Sequence, residues 1–418
     1  MARKPFHGYR IVAACFVIQG VMIGSMFAYG IFFRELESEF GWSRATISGA
    51  SSLAFVVMGT LGIVAGRLND LIGPRVLITF SAVCFGVGYG LLSRIDVAWE
   101  LFLFYGVLAG IGYSTHDVVT LSTITRWFTR RRGMMTGIAK VGTGTGQLLV
   151  PLAAASLVAA FGWRHAALVM GSVALLVLVA AAQVMRRDPH GLGQHPDGIE
   201  AGGGARGGSH ASSREIGLTL GEAVATRQFW TLCIVQLTVM FCLMTVMIHI
   251  VPHATDIGVA PAVAATILST VGAVSIAGRL TVGTLVDRLG GRRSLMICFV
   301  VLLTSLALLQ SFQIGWMLFV FAAVYGFAHG GFFTVMSPAL AEFFGTGSHG
   351  VIFGIVLFSG MMGGAAGPLL AGALYDNTGS YQMGFLILMG MALTGLVLAS
   401  TLRPMRMHAE DAVGQPSE

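Results

Sequence analysis

Twelve apolar runs of about 20 residues each decide what this chain can become. They fall near 11–33, 46–65, 76–93, 99–124, 134–160, 165–185, 228–251, 262–284, 294–312, 315–341, 350–374 and 382–402. A run of that length suits a hydrocarbon core about 30 Å thick. In that solvent a helix satisfies its own backbone hydrogen bonds, so each run reads as a membrane helix. Composition agrees. Only 11% of the 418 residues are charged and 55% are hydrophobic, against about 25% charged in soluble chains. The expected fold class is an all-α membrane protein with twelve transmembrane helices. Arg3, Lys4 and Arg10 precede the first run much as in a signal peptide. The run is too long for one, and Phe32-Phe33-Arg34-Glu35 follows without a small-residue cleavage site, so it is expected to stay as the first span.

The runs come as six, a break and six more, and the two sets share a repeat. Residues 66–75 read G-R-L-N-D-L-I-G-P-R and residues 283–292 read G-T-L-V-D-R-L-G-G-R. Gly66, Asp70, Gly73 and Arg75 recur 217 positions later as Gly283, Asp287, Gly290 and Arg292. The same offset relates Gly41 to Gly258, Gly133 to Gly350, Gly137 to Gly354, Gly146 to Gly363, Pro151 to Pro368 and Gly162 to Gly379. The chain therefore reads as an internal duplication. Each copy of the stretch is a short charged loop between two spans. It serves either as a gate between the halves, through Gly66, Asp70, Arg75, Gly283, Asp287 and Arg292, or as a turn that only fixes topology.

The expected organisation is a bundle over 1–185, a linker over 186–227, a second bundle over 228–402 and a tail over 403–418. The linker holds Gly202-Gly203-Gly204 and Gly207-Gly208-Ser209 and reads as flexible, with a short amphipathic helix near 217–224; the tail reads as disordered. With both termini cytoplasmic, 19 of the 25 Lys and Arg fall on that side. Arg34, Arg44, Arg94 and Arg164 fall outside, while Lys140 and Arg279 fall within spans. That asymmetry is the positive-inside pattern, so a multi-pass protein of the plasma (inner) membrane is expected. The net charge of +6 follows from these loops and calls for no nucleic acid. The five cysteines lie in apolar spans without metal spacing. No metal, cofactor or enzyme constellation is expected, and the chain has no Walker loop, so transport would be facilitated or coupled to an ion gradient.

Twelve spans in two repeats with the doubled G-x-x-x-D-x-x-G-x-R loop resemble the major facilitator superfamily. Within it, Phe32-Phe33-Arg34-Glu35-Leu36 with Phe40-Gly41-Trp42-Ser43-Arg44 is similar to the monocarboxylate transporter group and its bacterial relatives. So are Trp127-Phe128 before Arg131-Arg132-Gly133, and Gly278-Arg279 in the eighth span. The resemblance implies two pseudo-symmetric six-helix bundles closing alternately around one site lined by spans 1, 4, 7 and 10. It also implies that Arg279 binds substrate. Where relatives carry an aspartate one turn earlier, this chain has Ser275; where animal members carry a lysine in span 1, it reads Met26-Phe27-Ala28.

Ionisable groups at membrane depth carry the rest, because each costs about 3 kcal/mol to insert. Arg279 holds its charge at any workable pH and suits a carboxylate held by two parallel hydrogen bonds; it equally fits a structural ion pair. Asp117 is the one acid well inside a span, at a depth similar to Arg279, and is the expected proton carrier and ion-pair partner of Arg279. His116 projects about 100° away from it on a regular helix. His249 is a second candidate for proton or substrate, with His329 and Tyr325 behind it. Lys140 either lines the cavity or snorkels out. Phe358 and Tyr375, with Phe332, are expected as an apolar wall. The function expected is proton-coupled symport of a small monocarboxylate such as lactate or pyruvate by a monomer. Exchange of a small dicarboxylate with Lys140 as second cation, or metabolite and drug export, are the alternatives.

Overall fold

A computed structural model of the chain describes residues 6–198, 217–311 and 315–403. The Gly-rich centre of the linker and the tail beyond Arg403 lie outside those residues. The first bundle contains α1 (Gly8–Phe40), α2 (Arg44–Ile72), α3 (Pro74–Leu91), α4 (residues 98–127), α5 (132–161) and α6 (163–184). The second contains α7 (Arg227–Asp256), α8 (Pro261–Leu289), α9 (Gly291–Ser311), α10 (Met317–Phe344), α11 (His349–Thr378) and α12 (Gln382–Thr401). Ten helical runs among the described residues are long and apolar enough to cross a membrane. Two features reconcile that with twelve spans.

The first is Arg132–Val184, a single helical run of 53 residues. At about 1.5 Å per residue it would reach about 80 Å, far beyond one bilayer. Gly162, at φ 76° and ψ 161°, breaks it into two spans. Its repeat mate Gly379 also has positive φ, 67°, where α11 turns into α12. The Gly73/Gly290 pair behaves likewise, at 85° and 84°, between α2 and α3 and between α8 and α9. Only glycine adopts such backbone freely, which explains why these positions survive in both copies.

The second is α4, the expected span 99–124. It is one span in sequence but four pieces in structure: Ala98–Leu101, a π-helical Phe102–Ala109, Gly110–Tyr113 and, after a turn at Ser114–Thr115, His116–Trp127. Irregular backbone at membrane depth is tolerated where protein or a cavity surrounds it, and π-bulges collect at functional sites. Asp117 lies in the first turn after this break.

Close helix packing holds each bundle. A Cβ on Gly146 of α5 would sit 1.9 Å from the carbonyl oxygen of Gly20 in α1, and one on Gly363 of α11 would sit 2.1 Å from that of Leu237 in α7. These two contacts are related by the repeat offset. Without a hydrophobic drive between helices in lipid, such backbone approach supplies the packing. The described linker ends are anchored. Asp197 accepts from the backbone of Thr129 (3.0 Å) and Arg130 (2.8 Å) and from the Thr129 hydroxyl (2.6 Å). Burial alone would raise its pKa, but these hydrogen bonds outweigh burial and hold it below the usual carboxylate range. At the other end Leu218 N–H donates to Phe344 O at 2.9 Å, and a short helix, Leu220–Val224, leads into α7.

Candidate functional site

A buried polar cluster lies where α1, α4, α5 and α8 meet. Asp117 Oδ1 accepts from Gln19 Nε2 of α1 at 2.8 Å and from Lys140 Nζ of α5 in an ion pair. Its Oδ2 is 3.4 Å from His116 Nε2. Gln19 is fully buried and uses both ends: its amide nitrogen also donates to His116 O and Thr120 Oγ1, and its oxygen accepts from Thr143. Lys140 is 2% exposed and lies 5.4 Å from the Phe333 ring centroid, a cation–π contact. Arg279, 1% exposed, enters from α8. Its Nε and Nη1 have no hydrogen-bond partner among the described residues. A Cβ on Gly144 of α5 would fall 2.5 Å from its Nη1, so any larger residue there would displace the guanidinium. Buried donors without partners are rare in native structures and ask for an explanation.

Several expectations change here. Asp117 pairs with Lys140 rather than Arg279. Lys140 does not snorkel, because α5 places it one element away from Asp117 and the ion pair repays its burial. His116 and Asp117 do meet. The 100° argument assumes a regular helix with short side chains. His116 instead follows the break in α4, and its Nδ1 is 2.6 Å from Tyr113 O, which turns Nε2 toward the carboxylate. Phe332 faces Phe299 of α9 (ring centroids 4.8 Å apart), so Phe333 is the aromatic that meets the cluster. Gln19 was missed. Its signal was available: a lone amide in the first span, repeated 217 positions later as Gln236.

The remaining candidates lie apart. His249 sits near the opposite end of α7, with Nδ1 3.2 Å from the Tyr381 hydroxyl and Nε2 3.0 Å from Pro368 O. Tyr375 stacks on Tyr381 with centroids 4.4 Å apart. Phe358 of α11 packs where a Cβ on Gly59 of α2 would meet it at 3.3 Å, on the seam between bundles.

That seam has a repeated design. Asp70, at the end of α2, accepts from the backbone N–H of Gly350 and Val351, each at 3.1 Å, at the start of α11. Asp287, at the end of α8, accepts from those of Gly133 (2.6 Å) and Met134 (2.8 Å) at the start of α5. Each carboxylate thus caps the unpaired N–H groups of a helix in the other bundle. The flanking glycines close on each other: a Cβ on Gly66 would lie 2.2 Å from Gly350 O, and one on Gly283 2.6 Å from Gly133 O. The arginine contacts of the repeat stay within each bundle. Asp70 pairs within its own bundle with Arg126 of α4 at 2.5 Å. Arg75 donates to Gln183, and Arg292 to Ser400 O, each inside its own bundle, so neither arginine crosses the seam.

Two duplicated bundles, sealed along one seam around a buried charged cluster, define a multi-pass membrane transporter. The family model described as Major Facilitator Superfamily matches residues 15–280 and 232–416. The chain belongs to that superfamily, whose members here are transporters and not enzymes. Monocarboxylate transporter 13 of Rattus norvegicus is 28% identical over 397 residues, which cover 94% of this chain and 89% of that one. Monocarboxylate transporter 11 of Homo sapiens is 26% identical over 408 residues, covering 93% and 81%. A bacterial relative, the uncharacterized MFS-type transporter YhjX of Escherichia coli K12, is 25% identical over 347 residues, covering 81% and 82%. Within the superfamily the resemblance is therefore to the monocarboxylate transporter group. Among solved structures, the proton:xylose symporter XylE superposes with a TM-score of 0.72 at 14% identity, covering 94% of each chain. FucP in its outward conformation gives 0.70 at 13% identity, covering 93% of this chain and 97% of that one. Both share the fold.

Proposed function

We propose that the protein is a proton-coupled symporter of a small monocarboxylate, lactate- or pyruvate-like, working by alternating access. The observation that carries this reading is the buried Arg279 guanidinium with two unpartnered nitrogens, beside a second cation that Asp117 already neutralises. With Arg279 and Lys140 positive and Asp117 negative, the cluster holds one net positive charge, which suits one carboxylate. A carboxylate on Arg279 draws Lys140 away from Asp117. The unpaired Asp117 then becomes easier to protonate in a poorly hydrated site. Anion and proton together return the site to the charge of the empty carrier, so both forms reorient alike. Dicarboxylate exchange would use Lys140 as the second cation; the Asp117–Lys140 pair disfavours it, because Asp117 must first give Lys140 up. Uptake of labelled lactate and oxalate into proteoliposomes at two transmembrane pH differences tests the reading. Lactate uptake that rises with outside acidity supports symport, whereas pH-independent exchange of oxalate would overturn it.

The face that carries both termini and the linker is the cytoplasmic one on this reading, by its excess of Lys and Arg. The capped seam lies on that face, so the conformation is outward-facing and Asp70 and Asp287 act as gate residues. Asp70→Asn keeps an acceptor but loses the charge on the α11 cap. A cap change of on the order of 1 kcal/mol corresponds to about a fivefold shift toward the inward-facing state. Gly66→Ala forces the backbones apart and shifts it further. Labelling of single cysteines on each face reads the shift, and unchanged labelling in both variants would remove the gating role.

Gly144 is expected to set the guanidinium position. Gly144→Ala places a Cβ 2.5 Å from the present Nη1 position and pushes the guanidinium aside, so lactate KM should rise about tenfold, the equivalent of one lost charged hydrogen bond. Glycine-like KM in the alanine variant would show that Arg279 does not need this space.

A further inference from the structure

Three arginines meet at the linker-bearing end of the second bundle. Arg227 opens α7, Arg292 is the second residue of α9, and Arg403 follows the end of α12. With Gln228, Thr231 and Ser400 they line a cavity of about 680 Å³ that has no carboxylate among its described lining residues. Arg292 Nη2 donates to Ser400 O, but its buried Nε has no partner among the described residues. None of the three forms an ion pair among those residues.

The first bundle supplies an internal comparison. Arg10, Arg75 and Arg186 stand 217 positions before Arg227, Arg292 and Arg403. There the equivalent place is filled by the protein itself. Gln183, at the position of Ser400, accepts from Arg75 Nε at 2.9 Å and from Nη2. Arg186 Nη1 donates to Gln183 O and Met185 O, each at 2.9 Å. His7 Nε2 lies 2.9 Å from Val184 O, which brings the start of α1 over the end of α6. In the second bundle the smaller Ser400 offers Arg292 only its carbonyl oxygen, and among the described residues no side chain fills the space.

We propose that this second-bundle cavity binds a phosphate group, carried by an anionic phospholipid headgroup or free in solution. Forked guanidinium donors with neighbouring hydroxyl and amide groups fit the oxygens of a tetrahedral anion. The depth fits a headgroup. All three arginines sit at the ends of apolar spans, and Trp230, 55% exposed, lies one turn into α7, at the level where tryptophan meets lipid headgroups. Basic pockets between helix ends are known to hold acidic headgroups. The site is independent of the transport reading.

The test is thermal unfolding of the purified full chain in detergent, titrated with phosphatidylglycerol, phosphatidylcholine or inorganic phosphate. The variants are Arg227→Gln with Arg403→Gln, and the first-bundle pair Arg10→Gln with Arg186→Gln. All but Arg186 are exposed and Arg186 is half-buried, so folding is not at stake. Phosphatidylglycerol should stabilise the parent, phosphatidylcholine should not, and the apparent affinity should fall at least tenfold in the second-bundle variant but less than twofold in the first-bundle one. The same pattern with inorganic phosphate alone would assign the site to free phosphate. Equal losses in both variants, or none in either, would overturn the site, since general surface charge would then explain any binding.

Discussion

Arg279→Ala abolishes measurable carboxylate binding while the protein remains folded. Truncating one side of a buried charge pair costs about 3 kcal/mol, or about 100-fold in affinity. Stability should not suffer, because the guanidinium has two buried nitrogens without partners among the described residues. Its removal relieves a burial cost of about 3 kcal/mol on insertion scales, so the thermal midpoint should hold or rise. Arg279→Lys keeps the charge but not the fork, and should retain weak binding with reduced transport. Calorimetric titration of lactate into the detergent-purified variants, with the unfolding midpoint measured alongside, checks both halves of the expectation. Near-parent affinity in Arg279→Ala would move the anion site to Lys140.

Asp117→Asn should separate binding from coupling. The amide oxygen can still accept from Gln19 and Lys140, so the local frame survives, but the group no longer takes or releases a proton. Counterflow exchange of lactate should stay within a few-fold of the parent. Accumulation driven by a proton gradient should disappear, with internal lactate only reaching the external level. Both are read in the same proteoliposomes. If Asp117→Asn still accumulates lactate as the parent does, the proton travels elsewhere. His249 then becomes the residue to examine, as the second titratable candidate within the spans.

The architecture was legible because it rests on run length and on a repeat. Run length alone located the spans, and a fixed offset of Gly, Pro and charge exposed the duplication. What the sequence hid is what depends on partners in the third dimension. Gly133 and Gly350 were visible as repeated glycines. That each closes on the other bundle's Gly283 or Gly66 follows only from how the bundles face each other. Each aspartate of the repeat accepts from backbone N–H groups at a helix start in the other bundle. For Lys140, counting turns gives depth but not direction, so cavity lining and snorkelling both stayed open. Asp117 and Arg279 were matched on depth alone, and α5 placed Lys140 between the expectation and its partner. The break in α4 likewise left no periodic signature, because residues 101–112 of that span are apolar on every face.

One carboxylate on Arg279 should bring one proton to Asp117. Calorimetric titration of lactate in two buffers of different ionisation heat, at one pH near neutrality, counts the protons taken up per anion bound. About one proton per lactate in the parent and none in Asp117→Asn is the predicted result. Lactate binding in the parent with no proton uptake, and with the same affinity one pH unit lower, would contradict it.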